Sequence, residues 1–183
     1  VATGANVSIV VTQPDRRRGR GHQVEFSAVK ELALACNIPV LQPNSAKDSN
    51  FIARLSDRGP DLGVVVAYGQ LLPDSVLNIP RLGTINVHAS LLPKYRGAAP
   101  IHRAVIAGER ETGITVIKLV KKMDAGPMLA RAVRSIGHNE SSDEIQNDLA
   151  NIGAKLLVSV VADMSSGCCT EVPQDHSLAT VAP

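Results

Sequence analysis

Two polar residues interrupt what would otherwise be an apolar strand: Asn86 and His88, in Thr84-Ile-Asn-Val-His88. Residues two apart on a strand point to the same face. Polar groups in such a strand cost stability unless they are hydrogen-bonded or put to use. Farther along, Asp124 stands in Met123-Asp-Ala-Gly-Pro-Met128, a tight glycine-containing turn. An Asn, a His and an Asp converging on one cleft suit acyl transfer. The amide and a protonated imidazole can donate to a developing oxyanion, while the carboxylate orients and charges the ring. Taken singly, each has a plainer reading. Asn86 and His88 could satisfy local backbone groups, and Asp124 could simply form a turn. Their conjunction favours chemistry.

A second cluster is basic. Arg16, Arg17, Arg18 and Arg20 crowd around Asp15, in a chain whose formal net charge is only +2. The remainder of the chain is therefore slightly acidic, and the cluster suits local contact with phosphates rather than general coating of nucleic acid. The alternative is a solvated charged loop. Two Tyr and two Phe with no Trp leave little for a base-stacking platform. The core must then be built from Val, Ile, Leu and Ala, as in sheets flanked by helices. Three cysteines without metal-ligand spacing point to reduced thiols, a cytoplasmic protein and no metal. No apolar run reaches membrane-span length and no signal peptide is visible, so no membrane partner is expected.

The elements that must position these residues alternate. Residues 7–12, 38–41, 62–67 and 84–88 read as strands, with helices over 27–37 and 47–58 between them. Residues 113–119 and 128–136 read as two further strands. The last helix starts at Ser141, with Glu144 closing a capping box and Ile145, Leu149, Ile152 and Leu156 forming its apolar stripe. Such alternation predicts an α/β fold: a doubly wound, mostly parallel, Rossmann-like sheet with helices on both faces. No glycine cluster in the chain matches a dinucleotide-binding fingerprint. Residues 1–167 are expected to form one domain and the polar, proline-bearing residues 168–183 a linker. Beginning with Val, the chain reads as cut from something longer.

The order Asn-x-His, Ser-Leu-Leu-Pro and then Asp in a glycine loop is similar to that of formyltransferases that use 10-formyltetrahydrofolate. Within that superfamily the chain resembles the methionyl-tRNA formyltransferases. The resemblance rests on Val11-Thr-Gln-Pro-Asp-Arg16 with Gly19-Arg-Gly21, on Val65-Val-Ala-Tyr-Gly-Gln-Leu-Leu-Pro73, and on Lys94-Tyr-Arg-Gly-Ala-Ala-Pro-Ile101. It implies a catalytic trio of Asn86, His88 and Asp124, and no metal. It implies a folate-binding segment of Ser90, Leu91, Leu92 and Pro93, acting mainly through backbone groups. It assigns Tyr68, Gly69, Gln70 and Leu71 to a pterin-lining loop. The arginine loop, Arg16 foremost with Arg17, Arg18 and Arg20, would meet the acceptor end of initiator methionyl-tRNA. That loop is expected to be mobile when free, and the protein to be a cytoplasmic monomer. The family's opening strand, leading into a Gly-Thr-Pro turn, is missing before Val1, and a C-terminal β-barrel is expected beyond residue 183. Pro127 and His102 depart from the family's usual residues. Glycinamide ribonucleotide formyltransferase and formyltetrahydrofolate hydrolase share the trio, but the long loop over residues 12–21 argues against both. A non-catalytic folate- or tRNA-binding module is the alternative of another class.

Overall fold

A computed structural model describes residues 5–18 and 23–183. The chain divides into two compact units: Val1–Asp61 with Tyr68–Arg81, and Leu62–Ala67 with Leu82–Pro183.

In the first unit, β1 (Val10–Val11) runs parallel to β4 (Val40–Leu41). Val10 N–H donates to Pro39 C=O at 2.9 Å and Thr12 N–H to Leu41 C=O at 3.0 Å, extending the pairing at both ends. The arginine segment is β2 (Arg16–Arg18), paired antiparallel with β3 (Gln23–Glu25) in a hairpin where a free loop was expected. Helix α1 (Ala28–Ala35) begins at Ser27, whose hydroxyl accepts from Lys30 N–H, as the capping signal predicts. Of its expected stripe only Ala33 is buried, while Val29 and Leu32 face outward. Helix α2 (Ser49–Ser56) is capped by Asp48, which accepts from Phe51 N–H at 2.7 Å. Together with α3 (Asp74–Leu77), these elements close a small core of Leu41, Phe51 and Val76.

The second unit holds a four-stranded sheet in the order β5 (Gly63–Val65), β6 (Thr84–His88), β7 (Glu111–Lys118), β8 (Met128–Ser135). The α/β, Rossmann-like class holds. Its parallel pairings are β1 with β4 and β5 with β6, whereas β6–β7 and β7–β8 are antiparallel. Short helix α4 (Pro100–Ile106) connects β6 to β7, and α5 (Ser142–Ser166) packs on β7 and β8.

The capping box at the start of α5 is present as expected: Ser141 Oγ accepts from Glu144 N–H and Glu144 Oε2 accepts from Ser141 N–H. The stripe of α5 enters two clusters. One joins Ile145 and Leu149 to Ile101 and Ile114; the other joins Val160 to Ile85 and Val116. Gly153 lets the helix lie close to the sheet, since a Cβ there would stand 3.2 Å from Val87 Cγ1. At 25 residues α5 is long and apolar enough to cross a membrane by length and composition alone. The residues facing the sheet give that apolarity a use within the unit.

Residues 168–183, expected as a linker, lie against this second unit. Val172 and Met128 exchange backbone hydrogen bonds at 2.8 Å in both directions, and Ala182 is fully buried.

Leu149 is 1% exposed at the centre of the first cluster. Leu149→Ala should lower stability by about 2–5 kcal/mol through lost burial and the cavity left behind, measured by urea unfolding. A loss under about 0.5 kcal/mol, the scale of surface substitutions, would contradict this packing.

Candidate active site

His88 ends β6 and is 6% exposed. Its Nε2 lies 2.8 Å from the carbonyl oxygen of Tyr95. A carbonyl only accepts, so Nε2 carries a hydrogen and donates it. The other nitrogen, Nδ1, faces Asp124 Oδ2 at 3.7 Å, longer than a hydrogen bond. Nδ1 is thus the ring atom left for a further partner, with a carboxylate beside it. Asn86 is half-buried two residues earlier, and strand alternation places it on the same face as His88. Its backbone is fixed on both sides, by Val65 of β5 and Ile117 of β7.

Asp124 is 9% exposed and sits in the turn after β7 with φ +49°. Left-handed backbone is uncommon for residues other than glycine, though Asp tolerates it better than most. Gly126, two residues on, lies against the strand it leaves. A Cβ there would come 1.8 Å from Lys118 O, so the turn admits only glycine at that position. The Asp124 carboxylate is aimed by Gly97 N–H, which donates to Oδ2 at 2.9 Å. Gly97 and Tyr95 belong to the loop between β6 and α4, where Tyr95 also has a positive φ, +59°. One loop therefore supplies both the carbonyl that holds His88 and the amide that holds Asp124. These contacts fall within Lys94-Tyr-Arg-Gly, a stretch that carried the family resemblance without any role being assigned to Tyr95 or Gly97. Gln174, farther along, was missed altogether. It is 7% exposed, and its side chain binds the Asp124 turn.

The expected folate segment is a rigid turn. Ser90 and Leu92 are fully buried. Thr115 Oγ1, opposite His88 in the register, donates to Ser90 C=O at 2.7 Å and accepts from Leu92 N–H at 3.1 Å. Leu91 C=O accepts from Lys94 N–H at 3.2 Å, and Ser90 Oγ donates to Lys94 C=O at 2.6 Å. Three backbone groups of residues 90–92 are thus engaged internally. The segment offers shape more than the row of backbone partners expected of it, and Leu91 and Pro93 are its half-buried side chains.

Residues 68–71 belong to the first unit. Tyr68 C=O accepts from Gln13 Nε2 at 2.8 Å, and Gln70 Oε1 accepts from Ala46 N–H at 2.9 Å, so the Gln70 side chain is a structural tie. Gly69 turns the chain at φ +81° and Leu71 is exposed. The Tyr68 hydroxyl is buried without a hydrogen-bond partner among the described residues, and burial pushes its pKa up. The backbones of Arg16, Arg17 and Arg18 lie in β2, while Arg20 is outside the described residues. Among the described residues, no three His, Cys, Asp or Glu side chains are grouped to hold a metal ion.

The charges flanking the loop are settled by Tyr95. Its hydroxyl donates to Glu109 Oε1 at 2.7 Å. Burial, reinforced by this carboxylate, pushes the phenol up to about 12, and the same hydrogen bond draws Glu109 down. With the folded pKa above the unfolded value of 10, the stabilisation is complete below pH 10 and is lost as pH rises toward 12. The chain has two Tyr and no Trp, so tyrosinate absorbance is a clean readout. The native protein should show little ionisation through pH 10, whereas the unfolded chain titrates there. Glu109→Gln should move one native phenol back toward 10, and an unchanged titration would contradict the pairing.

Comparison with known proteins identifies the family. Residues 2–161 match the family model described as formyl transferase. A methionyl-tRNA formyltransferase from Desulforamulus reducens is 48% identical over 183 residues, covering 100% of this chain and 58% of the relative. The chain thus spans less than two thirds of that relative's length. Among solved structures, phosphoribosylglycinamide formyltransferase from Bacillus halodurans superposes with a TM-score of 0.77 at 20% identity, over 89% of this chain and 82% of that one. The formyltransferase PseJ from Anoxybacillus kamchatkensis, in complex with a UDP-linked formamido sugar and tetrahydrofolate, gives 0.68 at 16% identity, over 95% and 84%. At these identities the two structures speak for the fold.

Proposed function

Since the chain belongs to the formyl transferase family, we propose that it carries formyl transfer from 10-formyltetrahydrofolate, a co-substrate, to the amino group of methionine on initiator tRNA. The observation that supports this most is the state of His88. One nitrogen is bound to Tyr95 C=O and the other faces the Asp124 carboxylate at 3.7 Å.

In this reading the amine nitrogen attacks the formyl carbon, and the carbonyl electron pair moves onto oxygen. The Asn86 amide and a protonated His88 Nδ1 donate to that oxyanion. Asp124, oriented by Gly97 N–H, stabilises the imidazolium. The adduct then collapses by breaking the bond to the folate nitrogen, which keeps the electron pair and takes up the proton released by the amine. The buried placement of His88 and Asp124 keeps water from weakening these interactions.

The folate assignment of residues 90–93, and separately that of residues 68–71 in the first unit, rests on the family resemblance. So do the contact of Arg16, Arg17, Arg18 and Arg20 with tRNA, the cytoplasmic location and the monomeric state. The division into a catalytic domain over residues 1–167 and a connecting segment over 168–183 belongs to the same proposal.

Single-turnover formylation tests the trio in the intact protein. Asn86→Ala, His88→Ala and Asp124→Ala should each slow transfer by about 100- to 1,000-fold, the usual cost of losing an oxyanion donor. Near-normal rates in two of the three would sink the mechanism.

The arginine hairpin has its own test. Arg16→Ala should weaken use of methionyl-tRNA more than Arg18→Ala does, with folate affinity unchanged, and tRNA binding should weaken as salt rises. Equal and slight effects would leave the hairpin a solvated charge cluster.

A further inference from the structure

The segment after α5 reaches back across the second unit and fastens both loops of the candidate site. Gln174 uses its whole amide. Nε2 donates to Asp124 C=O at 2.8 Å and to Gly126 C=O at 2.7 Å. Oε1 accepts from Arg96 Nε at 3.2 Å and Nη2 at 2.6 Å. Arg96, 8% exposed, lies between Tyr95 and Gly97, and its guanidinium also donates to His176 Nδ1 at 2.9 Å. The backbone repeats the connection. Arg96 N–H donates to Thr180 C=O, Ala182 N–H to Arg96 C=O, and Ala99 N–H to Ala182 C=O. Tyr95 N–H donates to Thr180 Oγ1 at 2.8 Å. A Cβ at Gly97 would meet Ala182 O at 2.5 Å, so the backbone at Ala182 is pressed directly on the loop.

The two loops joined in this way are those that hold His88: one carries Tyr95 C=O and Gly97 N–H, the other Asp124. Both contain a non-glycine residue in left-handed backbone, Tyr95 and Asp124. Such conformations persist only where the surroundings over-determine them. The Asp124 turn is over-determined chiefly from outside, since its carbonyl and that of Gly126 both bind the Gln174 amide.

We propose that Gln174 is a positioning residue for catalysis, and that residues 172–182 form a strap that sets the His88–Asp124 geometry by tying the Asp124 turn to Arg96. This rests on the formyl-transfer reading of the same site. Gln174 touches neither His88 nor the Asp124 carboxylate. It acts through the backbone of the turn, and small misplacements of catalytic groups can cost two orders of magnitude in rate.

Two variants separate the halves of the amide. Gln174→Ala removes both. Gln174→Glu keeps an acceptor for Arg96 but cannot donate to the two carbonyls. In the intact protein both should remain folded, slow single-turnover formyl transfer by about 10- to 100-fold, and leave KM for the folate donor within about 2-fold, since only geometry at the reacting atoms is lost. The imidazole nitrogen resonances of His88, followed by NMR, should shift in both. A folded Gln174→Glu protein with normal transfer would show that pairing with Arg96 suffices and overturn the role. Unmoved His88 resonances in both variants would overturn it whatever the assay gives. Absence of formyl transfer in the unsubstituted intact protein would instead sink the formyl-transfer reading, leaving the resonances to judge the strap. If Gln174→Ala fails to fold, Gln174→Glu decides the question alone.

Discussion

One hydrogen bond, from Gly97 N–H to the Asp124 carboxylate, joins the two loops on which the candidate site depends. Nothing in β6 fixes where a carboxylate should stand beside His88. The strand sets the imidazole and the sheet sets the strand, but Asp124 comes from a separate turn beyond β7. A charge-assisted bond to a backbone amide is about twice as strong as a neutral one, and it is directional. Here it fixes which oxygen faces Nδ1. The donor is available because Gly97, at φ +121°, takes a backbone conformation that side-chain-bearing residues avoid. Tyr95 C=O, two residues before, then fixes the other end of the ring.

What local patterns encode was legible in the sequence. Thr84–His88 is a strand, and its last residue, His88, stands between Tyr95 C=O and the Asp124 carboxylate. Ser141 and Glu144 start α5 where their spacing says they should, because a capping box is complete within four residues. Gly167 ends that helix at φ +74°, the left-handed conformation a helix terminus commonly needs.

What depends on distant pairing was not legible. The segment over residues 168–183 has no periodicity, and its side-chain ties to the two site loops reach partners some 50 to 85 positions earlier. Composition alone marks it as a connection. It is held by backbone bonds and by Gln174, a residue type that gives no signal until its partners are known. The stripe of α1 shows the converse. Spacing that promises a buried face at Val29 and Leu32 leaves them exposed, because periodicity says what could be buried and not what lies opposite. The arginine hairpin was missed for a third reason. A half-buried polar cluster, and no apolar alternation, lies at its base. Gln42 Nε2 donates to Asp15 Oδ1 at 2.8 Å and to Gln13 C=O at 2.9 Å, while Lys30 binds Asp15 and, at 2.7 Å, Gln42 Oε1. The residues immediately before β2 are thereby fixed.

The stop at Gly167 also acts as a ruler. Cys168 N–H is still tied to Asp163 C=O at 2.9 Å, and Val172 is already paired with Met128. Only three residues, Cys169, Thr170 and Glu171, separate those two anchors, and Gln174 follows two positions later. Surface connections usually tolerate added length because their ends are held independently of their contour. In this one, an added residue would have to bulge out of the short span, or else it would put Pro173 in the place of Gln174. Length is therefore as constrained here as residue type, and an alignment gap inside this interval would mark a relative whose Asp124 turn is braced by other means.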